Sequence, residues 1–351
     1  MDIKHISHFQ ELSTAKLFGK TDKNEEILSF DLSNKNGMKI QIINYGATVT
    51  SLQIPVSNDN IVDVVLGFDT LESYLESYEL PSAPYFGTTV GRYAGRINKG
   101  SFILNNKKIQ LNTNNNENTL HGGNTGFGKK IWNVSNITAG DNSSITFSLL
   151  SEDLDENFPG TLQVNLTYTL TEQNELKLEY KATTTEDTAI NLTHHSYFNL
   201  DGHDSTVLDQ TLFVDAEKIL ETNTANIPTG KFTALSNHDF DFRVPKKCPS
   251  SIDNSFVIEP SINAVAKLFS SKNNLQMSVY TNQPSVHIYV GGNCFGVLKG
   301  KEDTDYHSSS GICFETQNFP DAPNHEHFPN SILKKDEEYY QKTVYKFELL
   351  N

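Results

Sequence analysis

The chain has 351 residues, enough to bury a sizeable core as one large domain or two ordinary ones, and it carries a formal net charge of −15. That balance argues against nucleic acid and anionic membrane surfaces as partners, since both require a basic face. Arg92, Arg96 and Arg243 are the only arginines, which leaves little for bidentate phosphate recognition and disfavours phosphorylated substrates.

Taken in chain order, the first clear element is a short helix. Thr70 is placed to cap it, Glu72 sits in its first turn, and Leu71, Tyr74, Leu75 and Tyr78 recur at helical spacing. The Asn-rich segment from Asn112 to Asn118 reads as a loop. From there period-two alternation dominates. Ile145, Phe147 and Leu149 alternate with polar neighbours, as do Leu162, Val164, Leu166, Tyr168 and Leu170. A polar turn at Glu172 to Asn174 leads into Leu176, Leu178, Tyr180 and Ala182, so 161–182 is expected to be an antiparallel hairpin. The stretch Tyr339 to Leu349 repeats the pattern. Many brief strands with almost no helix indicate an all-β antiparallel sandwich or barrel. No linker, charge block or fixed-period repeat divides the chain, so residues 1–351 are read as a single domain.

Cys248, Cys294 and Cys313 are widely spaced and form no CxxC pair, as expected of a reducing compartment. Residues 1–20 include Asp2, Lys4, His5, Glu11 and Lys16 without a continuous apolar run, and no later stretch approaches a membrane span. A cytoplasmic protein is expected.

Four segments hold more polar chemistry than sheet packing needs. Gly91-Arg-Tyr-Ala-Gly-Arg-Ile97 sets glycines beside two of the arginines, either a glycine-bearing turn or a backbone that approaches a ligand. Leu120-His121-Gly122-Gly123 presents an imidazole from a tight turn. In Asn191-Leu-Thr-His-His-Ser-Tyr-Phe-Asn-Leu200, strand geometry sends His194 and His195 to opposite faces, so at most one of them faces a given cleft. In Gly311-Ile-Cys-Phe-Glu-Thr-Gln-Asn-Phe-Pro-Asp-Ala-Pro323, Ile312 and Phe314 share one face while Cys313 and Glu315 share the other. Partial desolvation at such a place pushes a carboxylate towards the pKa of a useful base. The histidines lack HxH, HExxH or cysteine partner spacing, so no metal site is expected.

Together these segments resemble the aldose 1-epimerase (galactose mutarotase) family along nearly the whole chain. Further matching stretches are Asn44-Tyr-Gly-Ala47, Asp63-Val-Val-Leu-Gly-Phe-Asp69, Ile252-Asp253-Asn-Ser-Phe256 and Tyr280-Thr-Asn-Gln-Pro284, and the series ends in Glu315-Thr-Gln-Asn-Phe-Pro-Asp-Ala322. The resemblance implies a large antiparallel β-sandwich with an open cleft. It implies Glu315 as general base, His195 as general acid, and Arg96, His121, Asp253 and Gln283 as ligands of the sugar hydroxyls. The family chemistry opens and recloses the hemiacetal of a free aldose with the acid and base at opposite sides of the ring, and it requires neither cofactor nor metal. The expected partner is therefore a small-molecule aldose, with monomer and weak dimer both left open. Three departures stand out. His194 occupies a place where the family commonly has Asn, Gly95 another such place, and Phe319 that of a Trp, which costs an indole N–H donor. A non-catalytic sugar-binding sandwich, a hexose-6-phosphate 1-epimerase and a glycosidase using Glu315 with Asp253 are the competing readings.

Overall fold

The computed structural model describes residues 15–259, 261–291 and 294–350; the first fourteen residues of the N-terminal stretch read above for a leader lie outside them. Three antiparallel sheets carry the architecture. A nine-stranded sheet runs in the order Asn133–Thr138, Ser144–Ser151, Leu162–Leu170, Glu175–Thr184, Tyr339–Leu349, Leu275–Thr281, Ala266–Ser270, Thr211–Val214 and Lys246–Lys247. A six-stranded sheet runs Tyr197–Phe198, Ile312–Gln317, Ser285–Val290, Ile252–Val257, Lys218–Thr222 and Pro228–Ala234. The N-terminal strands from Lys16–Lys20 to Asn60–Asp63 form a five-stranded meander.

The alternation read from the sequence is the alternation that folds. Leu162, Val164, Leu166, Tyr168 and Leu170 are all buried and alternate with half-buried polar residues. The partner strand Glu175–Thr184 pairs with them in unbroken register from Leu162 with Thr184 to Leu170 with Leu176. Each such apolar side chain taken out of water contributes about 1.5–3 kcal/mol. The inward faces of all three sheets meet in one apolar cluster, with Ile40, Leu166, Tyr345, Ile288 and Phe314 among its members. The two larger sheets are also tied by hydrogen bonds: Tyr345 Oη donates to the Phe314 carbonyl and Gln341 Nε2 donates to that of Thr316. Both acceptors lie on the strand that holds Glu315.

The expected helix spans Leu71–Ser77, with Thr70 Oγ1 accepting from the Ser73 amide. Leu71 and Tyr74 are buried beneath it. Its C-terminal Tyr78 packs edge-on against Tyr85 at 5.5 Å between ring centroids, so the helix steadies the loop that follows. Among the described residues no helix is long and apolar enough to cross a membrane.

One buried ionic cluster clamps the N-terminal sheet to a later loop. Asp63 accepts from the Lys301 ammonium at 2.7 Å, from Ser51 Oγ and from the Leu52 amide, and it lies 3.6 Å from His203 Nε2. Burial alone would raise the Asp63 pKa, but Lys301 and His203 outweigh it and hold the carboxyl well below the usual range. Its contribution to stability is thus complete above the ordinary carboxylate pKa and is lost as pH falls towards the depressed folded value. Asp63→Asn, which leaves the Lys301 ammonium buried without a counter-ion, is expected to cost roughly 3–5 kcal/mol. Urea denaturation at neutral pH checks this, and the gap between variant and parent should narrow in strong acid.

Candidate active site

Three adjacent strands of the six-stranded sheet aim side chains into one cleft. Ile312–Gln317 pairs with Ser285–Val290 so that Glu315 lies opposite His287 and Ser285 opposite Gln317. Ser285–Val290 pairs on its other side with Ile252–Val257, setting Tyr289 opposite Asp253 and His287 opposite Ser255. Since side chains alternate between faces, this register places Asp253, Ser255, His287, Tyr289, Glu315 and Gln317 on the cleft side, where all six line the cavity. Ile252, Phe256, Val286, Ile288, Ile312 and Phe314 take the opposite face and join the main core.

The opposite wall comes from loops. His195 is strapped in place by its backbone: its amide donates to the Thr88 carbonyl at 2.9 Å, and its carbonyl accepts from the Gly87 amide at 3.0 Å. Its ring stands among Tyr85, His121 and Tyr197, with centroids 5.9, 5.5 and 5.3 Å away. Nε2 lies 3.5 Å from Glu315 Oε1, and both side chains are buried. The two groups are therefore neighbours, not partners facing each other across a ring as expected from the sequence. Cys313 Sγ lies 3.7 Å from His195 Nδ1. Burial pushes this thiol well above its usual pKa, so it keeps its proton.

His121 leaves its turn in the left-handed region, at φ 52°, followed by Gly122 at 86° and Gly123 at 106°. A Cβ on Gly122 would fall 2.1 Å from the Gly91 carbonyl oxygen, so the turn accepts only glycine there. The Asn-rich loop braces this turn. Asn114 donates to the carbonyls of Leu120 and Gly123 and accepts from the Leu120 amide, while Asn115 Oδ1 accepts from Arg96 Nε at 3.1 Å. Arg96 is thus held beside His121 at the mouth of the cleft.

The protonation pattern is uneven. His121 is held well below the usual histidine pKa, first by burial and then by the neighbouring His195 and Arg96, so it is neutral. The Gly95 amide donates to its Nδ1 at 3.3 Å, leaving Nε2 as the protonated nitrogen. Asp253 runs the other way. Burial would raise it, but the hydrogen bond from His287, that ring's charge and Arg96 lower it to about 2. Donor atoms of His121, His195 and Glu315 do lie within 4.8 Å of one another. The His121 tautomer set by Gly95, however, puts a proton on Nε2 where an ion needs a lone pair, so the trio suits hydroxyl groups better than a metal.

Of the residues expected from the sequence, Glu315, His195, Arg96, His121 and Asp253 meet in this cleft. Gln283 does not line it. The register that sets Ser285 against the last strand residue, Gln317, puts Gln283 beyond the sheet's end. Its turn is tied instead to the C-terminal strand, through Asn282, which bonds with the Lys342 amide and carbonyl. The cleft position opposite Glu315 belongs to His287. His194 points away, as alternation required: it is buried against Tyr168 and Tyr345, bonds with Ser196 Oγ, and is lowered to about 3 by burial and by His195. Phe319 is buried against Phe328 and is not among the cleft-lining residues, so its difference from Trp falls on packing. Gly95 does line the cleft, at φ 77°, and a Cβ there would meet Pro320 Cγ at 2.8 Å. Sequence reasoning missed Tyr85, His287 and Tyr289. For the last two a signal existed, because Val286, Ile288 and Val290 alternate with them.

The two arginines of the Gly91–Ile97 segment have separated roles. Arg92 is buried and donates to the carbonyls of Ser151, Glu152, Pro159 and Gly160 and to the hydroxyls of Ser151 and Thr188. Arg92→Ala leaves these acceptors unpaired, and a loss of at least about 3 kcal/mol is expected. Arg96→Ala should melt within about 0.5 kcal/mol of the parent; calorimetry on the two variants distinguishes them.

The family model described as aldose 1-epimerase matches residues 29–346. Galactose mutarotase of Bos taurus is 38% identical over 323 residues, covering 89% of this chain and 92% of that protein. Aldose 1-epimerase of Haemophilus influenzae is 36% identical over 333 residues, covering 90% and 94%. Among solved structures, a GalM/aldose epimerase homologue from C. elegans superimposes with a TM-score of 0.84 at 32% identity, covering 92% of this chain and 98% of its own.

Proposed function

Because the chain belongs to the aldose 1-epimerase family, an isomerase family that interconverts the α and β anomers of free aldoses, we propose how its cleft divides that work. Glu315 removes the proton of the C1 hydroxyl while His195 protonates the ring oxygen. The electron pair left on the C1 oxygen becomes the second bond of the aldehyde, the bond from C1 to the ring oxygen breaks, and the open chain turns about C1–C2. The same two groups then act in reverse, and the ring recloses on the other face of the carbonyl.

The single observation that carries this reading is the 3.5 Å separation of His195 Nε2 and Glu315 Oε1 on the cleft floor. The C1 hydroxyl and the ring oxygen are bonded to the same carbon, so a base and an acid that serve both must be adjacent. Neither proton is exchanged with a distant group, and neither transfer calls for a cofactor. Arg96, His121 and Asp253 bind the remaining hydroxyls: a guanidinium and a neutral imidazole as donors, and an ionised carboxylate as acceptor. Tyr85 and Tyr289 supply ring surface at the two sides of the cleft.

A free sugar suits the charges better than a phosphorylated one. Arg96 is the one lysine or arginine among the described residues lining the cleft, whereas Arg92 is committed to carbonyls and Arg243 is paired with Asp241. The cytoplasm is the proposed location, supported by three free, buried cysteines.

The reaction is followed by the optical rotation of freshly dissolved α-galactose. Glu315→Ala and His195→Ala should each lower the enzymatic rate by about a hundred- to ten-thousand-fold. His194→Asn should retain the parent rate, since that ring lies on the core side. Near-normal mutarotation by either of the first two variants would remove that residue from the role given it.

A further inference from the structure

His287 is a cleft residue for which the sequence offered no role, and both of its ring nitrogens are already engaged. Nε2 lies 2.9 Å from Asp253 Oδ1 and Nδ1 lies 2.8 Å from Ser255 Oγ. A ring so committed has no nitrogen free for a sugar hydroxyl. The Asp253 carboxylate can only accept, so Nε2 carries a proton. Ser255 Oγ can accept from Nδ1 or donate to it, and it is the ionised carboxylate 2.9 Å away that favours the doubly protonated ring. The second Asp253 oxygen accepts from Asn226 Nδ2 at 2.9 Å, so the carboxylate is gripped from two sides.

Across the strand from His287 stands Glu315. Directly opposed residues of an antiparallel pair hold their Cβ atoms about 5 Å apart and project from the same face. From these contacts we propose that His287 is a positioning residue: a fixed imidazolium that orients Asp253 for the sugar and supplies positive charge beside Glu315, favouring the ionised carboxylate that the base must be. This proposal rests on the assignment of Glu315 as base.

The surrounding charges agree in sign. Asp253 faces the ring from Ile252–Val257 and Glu315 from Ile312–Gln317, with Arg96 and His121 across the cleft and Tyr289 two residues along its own strand. Burial opposes the cation, but the Asp253 hydrogen bond and charge, with Glu315, outweigh burial and Arg96 together and raise the His287 pKa. His121 is neutral and adds no repulsion. The cation therefore persists above the pH at which an ordinary histidine loses it. A glutamine in this place would keep a hydrogen bond to Asp253 and lose the charge, which separates the two parts of the role.

Two measurements test it. Nitrogen-15 NMR of the intact protein, with the His287 signals assigned by comparison with His287→Gln, should show both ring nitrogens protonated at pH 7. A neutral ring at that pH overturns the proposal without reference to catalysis. The pH profile of kcat/KM for galactose mutarotation should differ as well. Loss of a neighbouring cation disfavours the ionised carboxylate, so the acid limb for His287→Gln moves to higher pH by about one unit. An acid limb that stays where the parent has it overturns the proposal. Failure of the underlying base assignment looks different, because Glu315→Ala would then keep its rate at every pH.

Discussion

A one-residue slip between Ser285–Val290 and Ile312–Gln317 would turn Glu315 into the apolar core and Phe314 into the cleft. The pairing of these strands with each other and with Ile252–Val257 is the constraint on which the site depends. It is enforced from the core side, where Ile312 and Phe314 would have to leave the apolar cluster they share with Val286 and Ile288 for the register to change. The nine-stranded sheet adds direct bonds to the backbone of the Glu315 strand through Tyr345 and Gln341. The carboxylate is thus positioned by apolar packing on the far face of its own strand, and rigid strands hold a site more closely than loops do.

The opposing wall is built by different means. His195, His121 and Tyr85 sit in turns or short loops and Arg96 on the two-residue strand Arg96–Ile97, each fixed by backbone hydrogen bonds or by asparagine side chains. The cleft therefore joins one sheet-borne set of groups, rich in carboxylate, to a loop-borne set rich in donors. Charge follows that division. Asp253 is kept ionised, His121 is kept neutral, and the His195–Glu315 pair lies between them. A sugar presents hydroxyls that both donate and accept, and a cleft with both kinds of partner fixed in advance spends little binding free energy on reorganisation.

Much of this was legible beforehand. Period-two alternation gave away the hairpin at 161–182, the C-terminal strand and the faces of Ile312 to Glu315, because one buried face suffices to write the pattern. Thr70 and Glu72 marked the helix by capping chemistry alone. The choice of His195 over His194 was open to strand geometry, which says only that the two diverge; resemblance made the choice, and the burial of His194 beside Tyr168 and Tyr345 agrees with it. What was not legible depends on register between strands distant in sequence. Gln283 and His287 are four residues apart, and nothing local says which of them meets Glu315. Only the pairing of Ser285 with Gln317 decides it. Phe319 illustrates the same limit, since a motif aromatic next to the site proves to face its own hydrophobic cluster.

The central claim is that one adjacent pair of groups serves the two oxygens of a single anomeric carbon. It is tested most directly by a crystal structure of the Glu315→Gln variant soaked with galactose. The account predicts the C1 hydroxyl within hydrogen-bond distance of the substituted side-chain amide and the ring oxygen within the same distance of His195 Nε2, about 2.6–3.2 Å in each case. A sugar bound in this cleft with C1 directed away from both positions, towards Arg96 or out to solvent, would contradict it.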